Sequence, residues 1–386
     1  MPILDVAVIG GGLAGAAACL ALGQAGRGQE TAWFGPDQDP GDRIGESLPS
    51  TARPLLDRLG LSDCVEAGHR PANATFTAWG RDALVERNAI VQLRGPGWVL
   101  DRPGFERDVI ARAEVLIERH RVPILKATVE DGLWVLTPEH GPILRARALV
   151  DATGRAATFA RGLGAFRRDD RMSVAYAFPP HRDPEVDPTP ATLIEAVADG
   201  WWYAALLPDQ RLSLAYFSDP DLMPRGLSRD LGAWRDLVGG SRHVARWIED
   251  AGFALEIPPH VGSAGTTWLD PPAGVHLGAA WMAIGDAAAA FDPLSSHGMT
   301  TALWSGVRVA ETVMPWLAKG EIAALLAYAA TVKRGVETFR TERAALYGRE
   351  QRFADRPFWE RRTGGPGGPD ASAPETEYNR AKPLET

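Results

Sequence analysis

Val6-Ala7-Val8-Ile9-Gly10-Gly11-Gly12-Leu13-Ala14-Gly15, near the start of a sequence of 386 residues, has the form of a strand that turns sharply into a helix. Val6, Val8 and Ile9 supply a buried parallel strand, Leu13–Leu22 a helix with small residues on most faces, and Glu30–Phe34 a second strand. Together they make a βαβ unit. In its turn, Gly10 permits the tight bend, Gly12 lets the backbone approach a pyrophosphate, and Gly15 lets helix and strand pack closely. The helix opening at Leu13 and Ala14 presents unpaired N–H groups and a positive dipole end to phosphates. A lone GxGxxG is a weak signal. After a hydrophobic strand and before a helix it is a strong one.

A site of this kind usually has an acid at the end of the second strand to grip ribose hydroxyls. Here that strand ends Ala32-Trp33-Phe34-Gly35, with Glu30 too early and Asp37 in the following loop. Asp37 stays a candidate, and some other device is expected to hold the ribose. Further on, Arg43-Ile44-Gly45-Glu46-Ser47-Leu48-Pro49 sets an arginine beside a glycine turn, suited to a phosphate or ribose contact or equally to a solvated salt bridge. Glu46 is read as capping the next helix, Ser50–Leu61, or bridging to Arg43, and Ser47 is another candidate cap. A third segment, Ile284-Gly285-Asp286-Ala287, continues through Phe291-Asp292-Pro293-Leu294-Ser295-Ser296-His297-Gly298-Met299. Asp286 is placed either to accept hydrogen bonds from a sugar-alcohol chain or to cap the next turn. Gly298 and Met299 open a helix, Gly298–Trp316, whose positive end suits an anionic ring edge.

Outward from these segments the chain reads as an α/β protein. Gly104–His120 is helical, followed by a strand at Val122–Val129 and the hairpin-like pair Gly132–Thr137 and Pro142–Leu149. Short alternating runs at Met172–Phe178, Gly200–Leu207 and Leu212–Phe217, with helical pieces near Leu231–Leu237 and Val244–Ala251, suggest an inserted antiparallel sheet lobe. The expected division is a discontinuous Rossmann-like dinucleotide-binding domain, 1–165 plus 268–318, with a substrate-binding β-sheet lobe at 166–267. A helical segment follows at 319–362 and a disordered tail at 363–386, rich in Gly and Pro.

The formal net charge of −8 gives no basic face for nucleic acid or an anionic membrane. The two cysteines, Cys19 and Cys64, form no CxxC pair; no disulfide framework and no metal site is expected, and Cys19 reads as core. The chain opens directly on a strand, and its apolar stretches are too short or interrupted to span a bilayer, so a soluble cytoplasmic protein is expected.

The three segments in this order, with Leu149-Val150-Asp151-Ala152-Thr153-Gly154-Arg155 between them, resemble the FAD-dependent monooxygenases of the para-hydroxybenzoate hydroxylase fold over most of residues 1–318. The resemblance implies FAD as cofactor, with Gly10, Gly12 and Gly15 at its ADP half and Asp286 at the ribityl chain. It also implies Pro293, Gly298 and Met299 at the pyrimidine edge, and Arg102, in Val99-Leu100-Asp101-Arg102-Pro103, on the flavin side. Arg43, Glu46 and Ser47 join these as cofactor-binding candidates. A narrower likeness rests on Gly45-Glu46-Ser47-Leu48-Pro49, Gly200-Trp201-Trp202-Tyr203 with Leu207-Pro208, and the Phe291–Gly298 run. It points to the branch of the flavin tryptophan halogenases and of the maturation flavoproteins that oxygenate a tryptophan inside another protein to build a quinone cofactor. The halogenases carry a lysine shortly after the GE segment, whereas the first lysine here is Lys126; their WxWxIP signature reads Tyr203-Ala-Ala-Leu-Leu-Pro208. Halogenation is therefore disfavoured.

The resemblance implies hydroxylation of an electron-rich aromatic ring through a flavin hydroperoxide, on a tryptophan of a partner protein or peptide during tryptophylquinone biogenesis. O2 is the co-substrate. Without a second GxGxxG unit, electrons come from docked NAD(P)H or from a partner reductase. His297 is the candidate for proton handling. Trp201, Trp202 and Tyr203 lie on strands expected to roof the flavin, as substrate contacts or as core packing. The competing readings are a hydroxylase of a small aromatic metabolite, a double-bond reductase of the geranylgeranyl reductase type, and a non-enzymatic flavin-binding module.

Overall fold

Apolar residues on both faces of Ile3–Ile9 require a strand covered on both sides, and it lies at the centre of the main sheet. Val6, Ala7 and Val8 are fully buried. In a computed structural model describing residues 3–37, 41, 43–88 and 95–363, this strand pairs in parallel with Thr31–Phe34 and with Leu144–Asp151. Leu144–Asp151 pairs in parallel with Ala279–Ala283, and Thr31–Phe34 with Arg119–His120. The sheet therefore runs Ala273–His276, Ala279–Ala283, Leu144–Asp151, Ile3–Ile9, Thr31–Phe34, Arg119–His120, with a hairpin of Ile124–Glu130 and Leu133–Pro138 laid against Leu144–Asp151.

The first helix, Leu13–Gln24, is buried on nearly every side, including Gly15, Ala16, Ala17, Ala18 and Cys19. Small residues suit this position because Gly298–Lys319 crosses close by: a Cβ built on Gly306 would stand 2.5 Å from Ala17 Cβ. The second and third helices expected from sequence begin or end elsewhere. Ser50–Leu61 is a 3-10 turn, Ser50–Ala52, leading into Arg53–Leu59. Gly104–His120 is a helix over Arg102–Leu116 that gives way to the edge strand.

The second sheet has seven strands in the order His260–Ser263, Ser173–Ala177, Leu212–Ser218, Gly200–Leu206, Ala191–Val197, Ala74–Ala78, Val85–Asn88. Two of these strands come from outside 166–267, and Ala74–Ala78 joins Ala191–Val197 in parallel. The lobe is thus a mixed sheet stitched to the first part of the chain. Side chains alternate across it, so Trp202 and Tyr216 face the helices Leu231–Gly239 and His243–Asp250, packing on Trp234. Trp201 and Phe217 face the opposite way, toward Leu294 and the C-terminal aromatics Tyr347, Phe358 and Trp359.

Ala323–Gly348 and Pro357–Thr363 close the chain against this second sheet. Trp359 Nε1 donates to Val197 O at 2.9 Å, and Arg362 pairs with Asp219 at 2.6 Å, both inside the protein. Thr363 ends a helix, and the tail expected beyond it lies outside the described residues. No helix among the described residues is long and apolar enough to cross a membrane.

Candidate functional site

The carboxyl ends of the central parallel strands bring the first and third sequence segments together. Gly10 has φ +137°, and a Cβ there would lie 2.1 Å from Ala152 O; one on Gly15 would lie 2.1 Å from Gly10 O. Both positions exclude any side chain, the first by bend and contact, the second by contact alone. Gly285, with φ +56°, completes the junction. Its Cβ would come within 2.8 Å of Ala14 Cβ and 3.8 Å of Ala302, so the Gly285-Asp286 backbone touches both the first helix and the long helix at Gly298.

Both of those helices begin without a side-chain cap. Gly12 and His297 occupy the N-cap positions, and neither first turn contains an acid. The leading N–H groups of each are therefore open to a ligand, with the dipole favouring negative charge. Space is available as well: a Cβ on Gly298, or on Gly154, would meet nothing within 4 Å. Leu13 and Met299 turn their side chains into the core, leaving their backbones to face the cleft. Pro293 opens the 3-10 turn Pro293–Ser295 just before the long helix.

Asp286 sits on the floor of this cleft. Its side chain keeps 37% of its surface accessible although protein surrounds it. Desolvation raises its pKa, and the charges of Arg155 and Arg102 pull it back. Arg155 Nε stands 3.5 Å from the carboxylate. Two oxygens served by one loose ion pair have room to accept hydroxyls of an extended polyol. These features suit FAD: two amide clusters for its charged parts, an aspartate for its alcohol chain and glycine backbone where a side chain would intrude.

The second segment reaches the same region through Arg102. Arg102 Nε donates to Glu106 at 2.9 Å, Nη1 donates to Ile44 O, and Arg43 pairs with Glu106 at 3.7 Å. Arg43, Glu46 and Arg102 line a cavity of about 320 Å³ with Leu100, Phe178 and Leu207. Glu46 departs from the expected cap: it is only 1% exposed, and its Oε2 accepts the Gly45 N–H at 2.9 Å. Nor does Ser47 cap a helix. It pairs with Val99 in a short strand, and Pro49 and a 3-10 turn separate it from Arg53–Leu59.

Trp201 and Trp202 are corrected from substrate-contact candidates to core, each 1% exposed. Trp201 stacks on Phe217 with centroids 4.0 Å apart and donates to Tyr347 Oη at 3.1 Å; Trp202 lies on the far face of the sheet. Tyr203 shares the Trp201 face, and its hydroxyl lies beside Glu46. His297 carries no hydrogen bond on its ring among the described residues, and burial lowers its pKa, so the imidazole is held neutral. Asp37 faces Arg121 at 3.0 Å and Arg119 at 3.5 Å.

Several residues of the site gave no sequence signal. Arg119, 5% exposed in its side chain, donates to Pro36 O at 2.6 Å and closes on the glycine turn: a Cβ on Gly11 would lie 2.5 Å from its Nη2. Tyr347 donates to Asp292 Oδ2 at 2.9 Å and receives Trp201, linking the loop before the long helix to both the C-terminal helix and the second sheet. Asp151 reads as part of a motif but is structural, accepting from Thr153 N and Oγ1, Phe159 N and Ala160 N at 2.6–2.9 Å.

No family model matches the chain. The chain is similar to the putative FAD-dependent oxidoreductase LodB of Marinomonas mediterranea, 26% identical over 388 residues, 94% of this chain and 97% of that protein. It is similar also to a 1H-pyrrole-2-carbonyl-[peptidyl-carrier protein] brominase of Pseudoalteromonas luteoviolacea, 24% identical over 80% of this chain and 77% of that one. Among solved structures, CmlS, a flavin-dependent halogenase, superposes with TM-score 0.81 at 21% identity, covering 95% of this chain and 68% of that one. QhpG, a peptidyl tryptophan dihydroxylase essential for tryptophylquinone cofactor biogenesis, gives TM-score 0.76 at 24% identity over 96% and 80%. The fold is that of these flavin-dependent enzymes, the branch to which the sequence motifs point.

Proposed function

We infer that this chain is an FAD-dependent monooxygenase that hydroxylates an electron-rich aromatic ring, a tryptophan held in a partner protein or peptide. The observation that carries the reading is the meeting of two uncapped helix N-termini with Asp286 at one cleft, beside an aromatic sheet face. Gly10, Gly12, Leu13, Ala14 and Gly15 would hold the pyrophosphate, Asp286 the ribityl chain, and Pro293, Gly298 and Met299 the pyrimidine edge. Arg43 and Arg102 border the ring side. FAD, when bound and reduced, supplies activation of O2 and delivery of an electrophilic oxygen to the ring. The long helix favours negative charge at the pyrimidine edge through its amides. Neutral His297 adds no opposing charge there. Electrons come from NAD(P)H or a partner reductase.

Halogenation is the second reading, favoured by the fold of CmlS and by the brominase relative. Against it, the lysines among the described residues, Lys126, Lys319 and Lys333, are all exposed on the outer surface. The test uses the yellow holoenzyme with tryptophan-bearing peptides, a reductant and O2, with and without bromide. Gain of one or two oxygen atoms on the peptide is expected. Bromination, or turnover of free phenols with no peptide product, would overturn the proposal.

A further inference from the structure

Beside the cleft lies a small three-stranded sheet in the order Ala165–Arg168, Thr267–Asp270, Ala289–Ala290. Its innermost strand begins three residues after Asp286, and Ala290 and Ala289 pair with Thr267 and Trp268. Arg155 ties the same layer to the cleft, standing 3.5 Å from Asp286 and donating to Gly265 O just before the middle strand. The outer strand, Ala165–Arg168, has a partner on one edge only, so alternate N–H and C=O groups point away from the sheet. Two strand spacings, roughly 10 Å, separate it from Ala289–Ala290.

That edge is basic on an acidic protein. The chain has a formal net charge of −8, yet residues 161–171 hold four arginines, Arg161, Arg167, Arg168 and Arg171, against Asp169 and Asp170. Both aspartates are taken by the helix Ala323–Gly348: Asp169 by Arg340 at 3.0 Å and Asp170 by Arg343 at 2.6 Å. The four arginines are exposed, and none forms an ion pair among the described residues. Arg161 and Arg168 hold their guanidinium carbons 3.9 and 5.9 Å from the centroid of one ring, Phe166. Two like charges brought to one ring, with no carboxylate paired to either, favour an anion arriving from outside.

We propose that the open edge of Ala165–Arg168 docks an extended acidic segment of a partner protein, which adds as a further strand while its carboxylates meet the four arginines. A peptide fits better than a nucleic acid, because the edge offers backbone donors and acceptors that another strand satisfies. A chain of net −8 also repels a long polyanion beyond the strip. A second copy of the same edge is kept off by its own arginines. Resting on the peptide-substrate reading above, the segment belongs to the protein that carries the aromatic ring. About three extended residues cover the distance back to the innermost strand.

Fluorescence anisotropy on the oxidised holoenzyme, without reductant, measures binding of a rhodamine-labelled octapeptide of glutamate and threonine. It should bind at low ionic strength and weaken as salt rises, and a lysine–threonine octapeptide should not bind. Arg167→Glu combined with Arg168→Glu should weaken the acidic peptide roughly tenfold or more, with flavin content and melting temperature unchanged because both residues are exposed. Should that variant not fold, Arg171→Glu alone is expected to weaken binding about threefold. N-methylation of alternate peptide nitrogens keeps every carboxylate but removes strand donors, and should also weaken binding. Equal binding of the lysine peptide, or an affinity that survives charge reversal or N-methylation, overturns the proposal. Tighter binding of a single-stranded oligonucleotide overturns it too. An acidic peptide extended by a tryptophan that binds this edge yet gains no oxygen would sink the oxygenase reading and leave the docking edge standing; oxygenation without binding at the edge would do the reverse.

Discussion

Asp286 is a residue whose burial costs the fold and which the proposed function makes a contact of the ligand. Its folded pKa is raised by burial, so the folded state binds more protons than the unfolded one above the ordinary carboxylate value of 3.8. Stability contributed by this group is present at low pH and lost as pH rises through the folded value. Asp286→Asn removes that penalty together with the charged acceptor. The expected outcome is an apoprotein melting at the same temperature or higher, with FAD bound about tenfold to a hundredfold more weakly. Calorimetry on the apoprotein and flavin titration check the two halves separately.

His297 behaves oppositely in sign. Burial lowers its folded pKa below the free imidazole value of 6.5. Below that pH the unfolded chain binds the extra proton, and stability falls as pH drops through 6.5 toward the folded value. Charging it would also set a cation at a helix N-terminus. In His297→Gln the melting temperature should decline less between pH 7.5 and about 5.5, a unit below the free value. Superimposable pH profiles for the two proteins would show that His297 does not sense the buried environment.

At the scale of elements, the crossing of Leu13–Gln24 and Gly298–Lys319 sets the distance between the two open helix ends. That crossing depends on Gly306, where an added Cβ would meet Ala17 Cβ at 2.5 Å and its carbonyl carbon at 2.9 Å. Backbone cannot yield as a flexible side chain can. Gly306→Ala should therefore destabilise by about 1–3 kcal/mol despite alanine's better helix propensity, read as a lower denaturant midpoint. Alternation and glycine spacing made the first helix, its flanking strands and the opening of the long helix legible. Ala74–Ala78 escaped notice because its five residues are mostly half-buried and its parallel partner, Ala191–Val197, is remote in sequence. Trp201 and Trp202 were ambiguous for a related reason: adjacent residues on a strand face opposite sides, and only the layers packed there tell core from cavity.

Over the whole molecule, the second sheet is held to the C-terminal helices by a knot of aromatic rings. Trp359 is fully buried, packs edge-on to Trp79 at 5.1 Å and donates to Val197 O. Trp359→Ala should cost about 3–5 kcal/mol, the range for removing a large core aromatic. Because Tyr347 in the same cluster bonds Asp292 beside the long helix, weakened FAD retention should accompany the loss. Unchanged retention in a clearly destabilised variant would separate the cluster from the site.

The half of the candidate site built on the glycine turn was written locally, because a glycine forced by a turn and a helix start without a cap are constraints on neighbouring residues. Their order along the chain carried the resemblance that pointed to the class of fold and its cofactor. What the tertiary structure alone decided is which distant groups meet: Arg155 with Asp286, Arg119 with the glycine turn, Tyr347 with Asp292, and Glu46 with Tyr203. Such meetings depend on how sheets and helices stack, and no short-range pattern of residues encodes the separation of two side chains carried by different layers.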